Sequence, residues 1–94
     1  MRLRWFSQAL GDLVSLREYI AQDNPVAAGE VAARILEAVG LLPGQPGMGR
    51  PGRVKGTKEL VVADTPYIVP YRVKNGEIQL LRVLHGKRQW PKKF

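Results

Sequence analysis

The sequence predicts an α+β domain of order β-α-α-β-β-β, an antiparallel sheet packed against an N-terminal α-helical hairpin. Three observations predict it. Apolar residues recur at helical spacing in two consecutive segments near the start. After residue 50 they fall into short β-rich runs. A loop rich in proline and glycine separates the two regimes. Helices that follow one another, rather than alternating with strands, argue for a helical pair on one face of an antiparallel sheet. With 94 residues, the chain has room for one domain, 1–94, built on one core.

Arg2 to Phe6 reads as a short strand, because Leu3 and Trp5 alternate with Arg2 and Arg4. Ser7 is the expected N-cap of the first helix. Behind it Ala9, Leu13, Leu16 and Ile20 form an apolar stripe of about four turns, with Asp12, Arg17 and Glu18 off that face. Asp23-Asn24-Pro25 ends this helix and starts the next, with Asn24 as cap and Pro25 at the first helical position, where a missing N–H costs nothing. The second helix presents Ala28, Val31, Ala32, Ile35, Val39 and Leu42 on one side. The short connection implies an antiparallel hairpin.

Pro43 to Gly49 reads as a loop by composition. Arg53–Lys55 and Glu59–Val62 are then expected as two strand pieces broken at Gly56, followed by strands over Tyr67–Val73 and Ile78–His85. Asn75-Gly76 between the last two is a strong hairpin signal, since both residues tolerate positive φ. It sets Lys74 opposite Glu77, Val73 opposite Ile78 and Arg72 opposite Gln79. Pro70 then meets Leu81 with no N–H to offer, so a bulge or a break is expected there.

Charge divides the chain. Residues 1–46 carry four basic and five acidic groups, net −1; residues 47–94 carry eleven basic and three acidic groups, net +8, which together give +7. A basic half points to a polyanionic partner such as RNA, DNA or an acidic protein segment. The absence of cysteine removes disulfides and thiolate metal sites and fits a reducing compartment, so a cytoplasmic location is expected. No apolar core follows Arg2 and Arg4, so no secretory leader is expected. No run is long enough to span a membrane, and no membrane partner is expected. A single histidine gives no metal cluster; neither metal nor cofactor is expected. The glycines of 44–49 lack the Lys-Ser/Thr of a phosphate-binding loop.

Arg50, Arg53, Lys55, Lys58, Arg72, Lys87 and Arg88 are the candidate phosphate contacts. Cleavage of RNA by its own 2′-hydroxyl needs no metal, because clustered cations stabilise the charge that builds on the phosphorane oxygens. The plainer reading of the same residues is a solvated strand face. His85 alone has an ordinary pKa near neutrality. It is either a general acid or base on an RNA 2′-hydroxyl, or a strand-end residue that bonds backbone or packs on Trp90. Tyr67, Tyr71 and Trp90 can stack bases, or serve as core and rim aromatics.

Several local motifs, taken in order, are familiar: Tyr19-Ile20-Ala21 with Asn24-Pro25; Gly49 to Arg53; Gly56 to Val61; Pro66 to Val73; and Arg82-Val83-Leu84-His85. Through them the chain resembles the RelE/ParE toxins of type II toxin–antitoxin systems over nearly its whole length. The resemblance implies a cognate antitoxin as partner, with operator DNA reached only through that antitoxin. The family divides by target. ParE-like members bind DNA gyrase; RelE-like members are ribosome-dependent mRNA endonucleases. On the nuclease branch Arg53, Lys55, Arg72, His85 and Arg88 are the expected catalytic set, with Arg50, Lys58, Lys87 and Trp90 binding the target or a nucleic acid. Ile68 stands where that branch commonly carries an arginine, and the Val-Leu-His ending is similar to that of ParE-like members. The ParE-like reading, growth inhibition through a protein target, is therefore put first. The mRNA interferase is second, and a non-toxic nucleic-acid-binding module third.

Overall fold

In the computed structural model, which describes residues 1–94, the elements run β1 (Arg2–Trp5), α1 (Ser7–Ala21), α2 (Pro25–Gly40), β2 (Arg50–Pro51), β3 (Lys58–Val61), β4 (Tyr67–Lys74), β5 (Glu77–Leu80) and β6 (Leu84–His85). The sheet order is β1-β5-β4-β3-β2, with β6 also on β4. The expected helical hairpin and sheet are both present. The antiparallel expectation holds for β2 to β6 but not for β1, which lies parallel to β5. Parallel neighbours need a crossover, and the helical hairpin supplies it.

Leu3 and Trp5 turn toward the helices, and Arg2 and Arg4 stay exposed. Phe6, not Ser7, caps α1, and no side chain takes part. The reason is the sheet: the Phe6 N–H still bonds Leu80 O at 3.0 Å, so Phe6 remains extended while its own carbonyl accepts the first helical bond from Leu10. α2 starts as the sequence implies. The Asn24 side chain accepts from the Ala27 N–H at 3.0 Å, with Pro25 next to it. Ala28, Ala32, Ile35, Val39 and Leu42 are buried, while Val31 is half-buried.

The core lies between this hairpin and one sheet face. Ala9, Leu16, Ile35 and Val39 pack on Leu60, Val69, Tyr71, Ile78 and Leu80. Each valine, leucine or isoleucine among them contributes about 1.5–3 kcal/mol when fully buried.

Two strand expectations are corrected. Arg53–Lys55 is a turn, not a strand, and β2 lies earlier, at Arg50–Pro51. Thr57 closes the turn, its N–H and hydroxyl both donating to Val54 O, and Gly56 supplies the positive φ of 81°. The run Ile78–His85 is likewise two strands, not one. Asn75 (φ 54°) and Gly76 (φ 71°) form the expected turn, and Arg72–Gln79, Val73–Ile78 and Lys74–Glu77 pair as read from the sequence. Leu81 N–H still reaches Pro70 O at 2.9 Å, but Pro70 returns nothing. Beyond it β6 pairs Leu84 with Ile68 and His85 with Tyr67, a register one residue longer than that of β5. This is the expected bulge. It reverses the faces of everything after it, and so turns His85 to the helical side beside Tyr67.

Candidate functional site

The charged groups of the second half collect in two places, because strand alternation sends them to opposite faces. With Leu60, Val69, Tyr71, Ile78 and Leu80 against the helices, Glu59, Pro70, Arg72 and Gln79 occupy the far face of the sheet, in line with Arg4 of β1.

On that far face Glu59 is almost fully buried, at 2% exposure. A buried carboxylate must be paired, and this one is. Oε1 accepts from Arg50 Nε and Nη2 at 3.2 and 3.0 Å, and Oε2 accepts from the Arg53 backbone N–H at 2.7 Å. The Arg53 guanidinium, 3.7 Å from Glu59, stacks on the Trp90 ring at 3.7 Å from its centroid. Trp90 in turn donates from its indole N–H to His85 O at 3.0 Å. One acid thus organises β2, the turn after it and the C-terminal tail. Beside it runs a second chain. Arg72 Nε donates to Gln79 Oε1 at 2.6 Å, Gln79 Nε2 to Glu77 Oε1 at 2.9 Å, and Arg4 to the same oxygen at 3.3 Å. The Gln79 bond, with Arg4 behind it, holds the Glu77 carboxyl below its ordinary pKa. Arg4 and Arg72 flank the Phe6 ring at 5.1 and 5.8 Å.

The second collection is a cleft of 420 Å³ between α1 and the tail, walled by Leu16, Tyr19, Tyr67, Val83, His85 and Arg88, with Asp12 at its edge. The bulge makes it. Asp12 Oδ2 accepts from the Val83 N–H at 2.9 Å and from Arg82 Nε at 2.7 Å, while Oδ1 takes Arg82 Nη2 at 3.1 Å. α1 is thereby fastened to the irregular segment, and the bonds to Asp12 raise the Arg82 pKa. His85 stands edge-on to Tyr67, centroids 5.6 Å apart. Its Nδ1 accepts from the Lys87 N–H at 3.1 Å, so the neutral ring carries its proton on Nε2. Burial raises the Tyr67 phenol pKa, and the nearby Arg88 pulls against that rise. The Arg88 guanidinium lies 5.7 Å from the Tyr19 ring centroid.

The sequence-selected residues therefore do not form one constellation. Arg50 and Arg53 are engaged by Glu59, and Arg72 by Gln79, on the far face. Lys55 sits exposed in the turn after β2. Lys58 is half-buried at the start of β3. His85 and Arg88 line the cleft, with Lys87 exposed between them. Trp90 is a half-buried partner of Arg53. The His85 ring accepts a backbone N–H at Nδ1, and its backbone carbonyl accepts from the Trp90 indole. Tyr67 and Tyr71 are core residues, not exposed stacking platforms. Glu59 and Asp12 were not anticipated. Asp12 reads as a solvent-facing helix position until Arg82, seventy residues on, is brought beside it. No helix is long and apolar enough to cross a membrane, and no three metal-ligating side chains gather anywhere.

A family model described as the ParE toxin of the type II toxin–antitoxin system parDE matches residues 3–90. The chain is 49% identical over 90 residues to "Putative toxin Y4kP" of Sinorhizobium fredii, covering 96% of this chain and 93% of that protein. It is 37% identical over 84 residues to "Toxin RelE2" of Caulobacter vibrioides, covering 89% and 93%. A solved structure described as "Chromosomal ParDE TA system from P. aeruginosa" superposes with a TM-score of 0.81 at 34% identity, over 90% of this chain and 95% of that one. The chain belongs to the ParE toxin family of type II toxin–antitoxin systems, within the wider RelE/ParE group.

Proposed function

We propose that this toxin, when free of its antitoxin, arrests growth by binding a protein target, DNA gyrase, and not by cutting message. The observation that carries this reading is the dispersal of the candidate catalytic set. Stabilising a phosphorane takes cations that converge on one point. Here the Arg53 guanidinium lies on the far face between Glu59 and the Trp90 ring and Arg72 is bonded there by Gln79, while His85 and Arg88 lie in the cleft on the helical side. Ile68, at the position where the nuclease branch carries an arginine, is 7% exposed and pairs with Leu84. The match to a parDE toxin model and to a ParDE structure supports the same side of the family. Membership of a toxin family also sets aside the non-toxic nucleic-acid-binding module.

The mRNA interferase reading is kept as the competitor, since one relative carries the name RelE2. Expression without antitoxin separates the two. Primer extension on translated messages is expected to show intact RNA, with induction of the SOS response. Codon-linked cuts within minutes of induction would overturn the gyrase reading. If Arg53, Lys55 and Arg88 cut RNA, replacing them together by alanine abolishes toxicity while antitoxin binding is largely kept; unchanged toxicity would count against the nuclease.

For the antitoxin, the partner that the family implies, the surface on offer is mixed. Leu10 and Val14 on α1 and Leu36 on α2 are exposed apolar positions on the hairpin. The cleft and the tail add Lys87, Arg88, Lys92 and Lys93. An acidic amphipathic segment that folds as it binds matches both.

A further inference from the structure

We propose that the cleft between α1 and the C-terminal tail is a seat for one carboxylate, an aspartate or glutamate side chain flanked by apolar residues and carried by the antitoxin. The proposal rests on the reading of the antitoxin as an acidic amphipathic segment and names what one subsite accepts from it.

Three unused donors line the cleft, on Tyr67, His85 and Arg88, and its other uncharged polar side chains, Ser15, Tyr19 and Gln89, can donate as well as accept. Tyr67 is 91% buried by its 9% exposure, and it lines the cleft with a hydroxyl that bonds nothing within the chain. Its raised pKa keeps that hydroxyl protonated across the neutral range. Arg88 has no carboxylate partner; its guanidinium faces the Tyr19 ring and is near enough to Tyr67 to oppose the rise in that pKa. His85 has its Nδ1 occupied by the Lys87 N–H, which leaves Nε2–H as its donor. The one acid at the edge, Asp12, is already saturated by Arg82 and the Val83 N–H and takes nothing from these groups. A carboxylate is acceptor-only and accepts at both oxygens, which complements these three donors.

Size and charge separate a carboxylate from a phosphate. The walls include Leu16, Val83 and Leu84, and one unpaired arginine stands among them with an acid at the edge. That balance suits a single negative charge with a hydrocarbon stem. A nucleic-acid strand needs a track of cations; Arg88 is the one arginine or lysine that lines the cleft, Lys87, Lys92 and Lys93 are exposed on the tail outside it, and Arg53 and Arg72 are on the far face.

The test is an NMR titration of the whole chain with acetyl-Leu-Glu-Leu-amide, acetyl-Leu-Gln-Leu-amide and inorganic phosphate. The glutamate peptide is expected to give saturable shifts centred on Tyr67, His85 and Arg88. The glutamine peptide should bind about tenfold more weakly, the loss typical of a charge-assisted bond. Arg88→Gln, an exposed position, should reduce binding of the glutamate peptide to the level of the glutamine one while leaving the remaining spectrum in place. Tyr67→Phe should weaken the glutamate peptide more than the glutamine one, because a hydroxyl bond to a carboxylate is stronger than one to an amide oxygen. Equal binding of the two peptides, no shifts at millimolar glutamate peptide, or stronger shifts of the same residues with phosphate would each overturn the proposal. None of these outcomes depends on growth arrest or on gyrase, so the wider functional reading stands or falls separately.

Discussion

Tyr71 shows how a single polar atom can organise a stretch of chain that has no ladder of its own. The residue is fully buried, and its hydroxyl donates to Pro46 O at 2.8 Å while accepting from the Gly49 N–H at 2.9 Å. The ring comes so close that a Cβ at Gly49 would lie 2.7 Å from it, so glycine is required there. Tyr71→Phe keeps the packing but leaves two backbone groups without a partner. It should lower stability by about 1–3 kcal/mol, read as a fall in the urea midpoint at unchanged slope. Burial also raises the Tyr71 pKa above its ordinary 10.0. For an acid whose folded pKa is raised, the stabilisation is complete below the unfolded value and is lost as pH rises through the folded one. Ionisation of Tyr71, followed at its own ring resonance by NMR, and loss of near-ultraviolet circular dichroism should therefore rise together above pH 10. Ionisation of Tyr71 near the ordinary value in a still-folded protein would contradict this. The residue scale is also where sequence reading stopped short. It gave Tyr67 and Tyr71 as either core or base-stacking residues, because burial is a property of the fold and not of the residue.

At the scale of elements, legibility followed distance along the chain. The Asn24-Pro25 helix start, the Asn75-Gly76 turn and the disturbance at Pro70 were all readable, because each is decided by residues within a few positions of one another. The parallel pairing of β1 with β5 was not readable, since it joins Arg2–Trp5 to Glu77–Leu80 across the whole molecule. Ser7 was misplaced as a cap for the same reason: a long-range bond from Phe6 to Leu80 set the boundary. The candidate site suffered most. Its basic residues were visible, but the face that His85 takes depends on the one-residue shift between β5 and β6. Asp12 holds that shift in place through Arg82 and Val83. Asp12→Ala should destabilise the chain by about 1–3 kcal/mol, because a backbone N–H and a half-buried guanidinium lose their acceptor. It should raise hydrogen exchange most at residues 81–85 and less in β4. A uniform loss of protection would show that the bond stabilises the whole core and not this segment.

At the scale of the molecule, the +8 of residues 47–94 is not one patch. Glu59 holds Arg50 and Arg53, and Asp12 holds Arg82; the other basic groups of this half are spread over the far face, the turns, the cleft and the tail. A partner that uses the cleft together with the exposed apolar positions of the hairpin should be held by both kinds of contact. The antitoxin complex is therefore expected to weaken only in part at high salt, because screening acts on the charges and not on the apolar area. Complete dissociation at moderate salt would mean that charge alone holds it. The proposed target is tested most directly by supercoiling of relaxed plasmid by purified DNA gyrase with and without the purified toxin. The toxin is expected to suppress supercoiling, and added antitoxin to restore it. Full gyrase activity in the presence of folded toxin that still arrests growth in cells would contradict this.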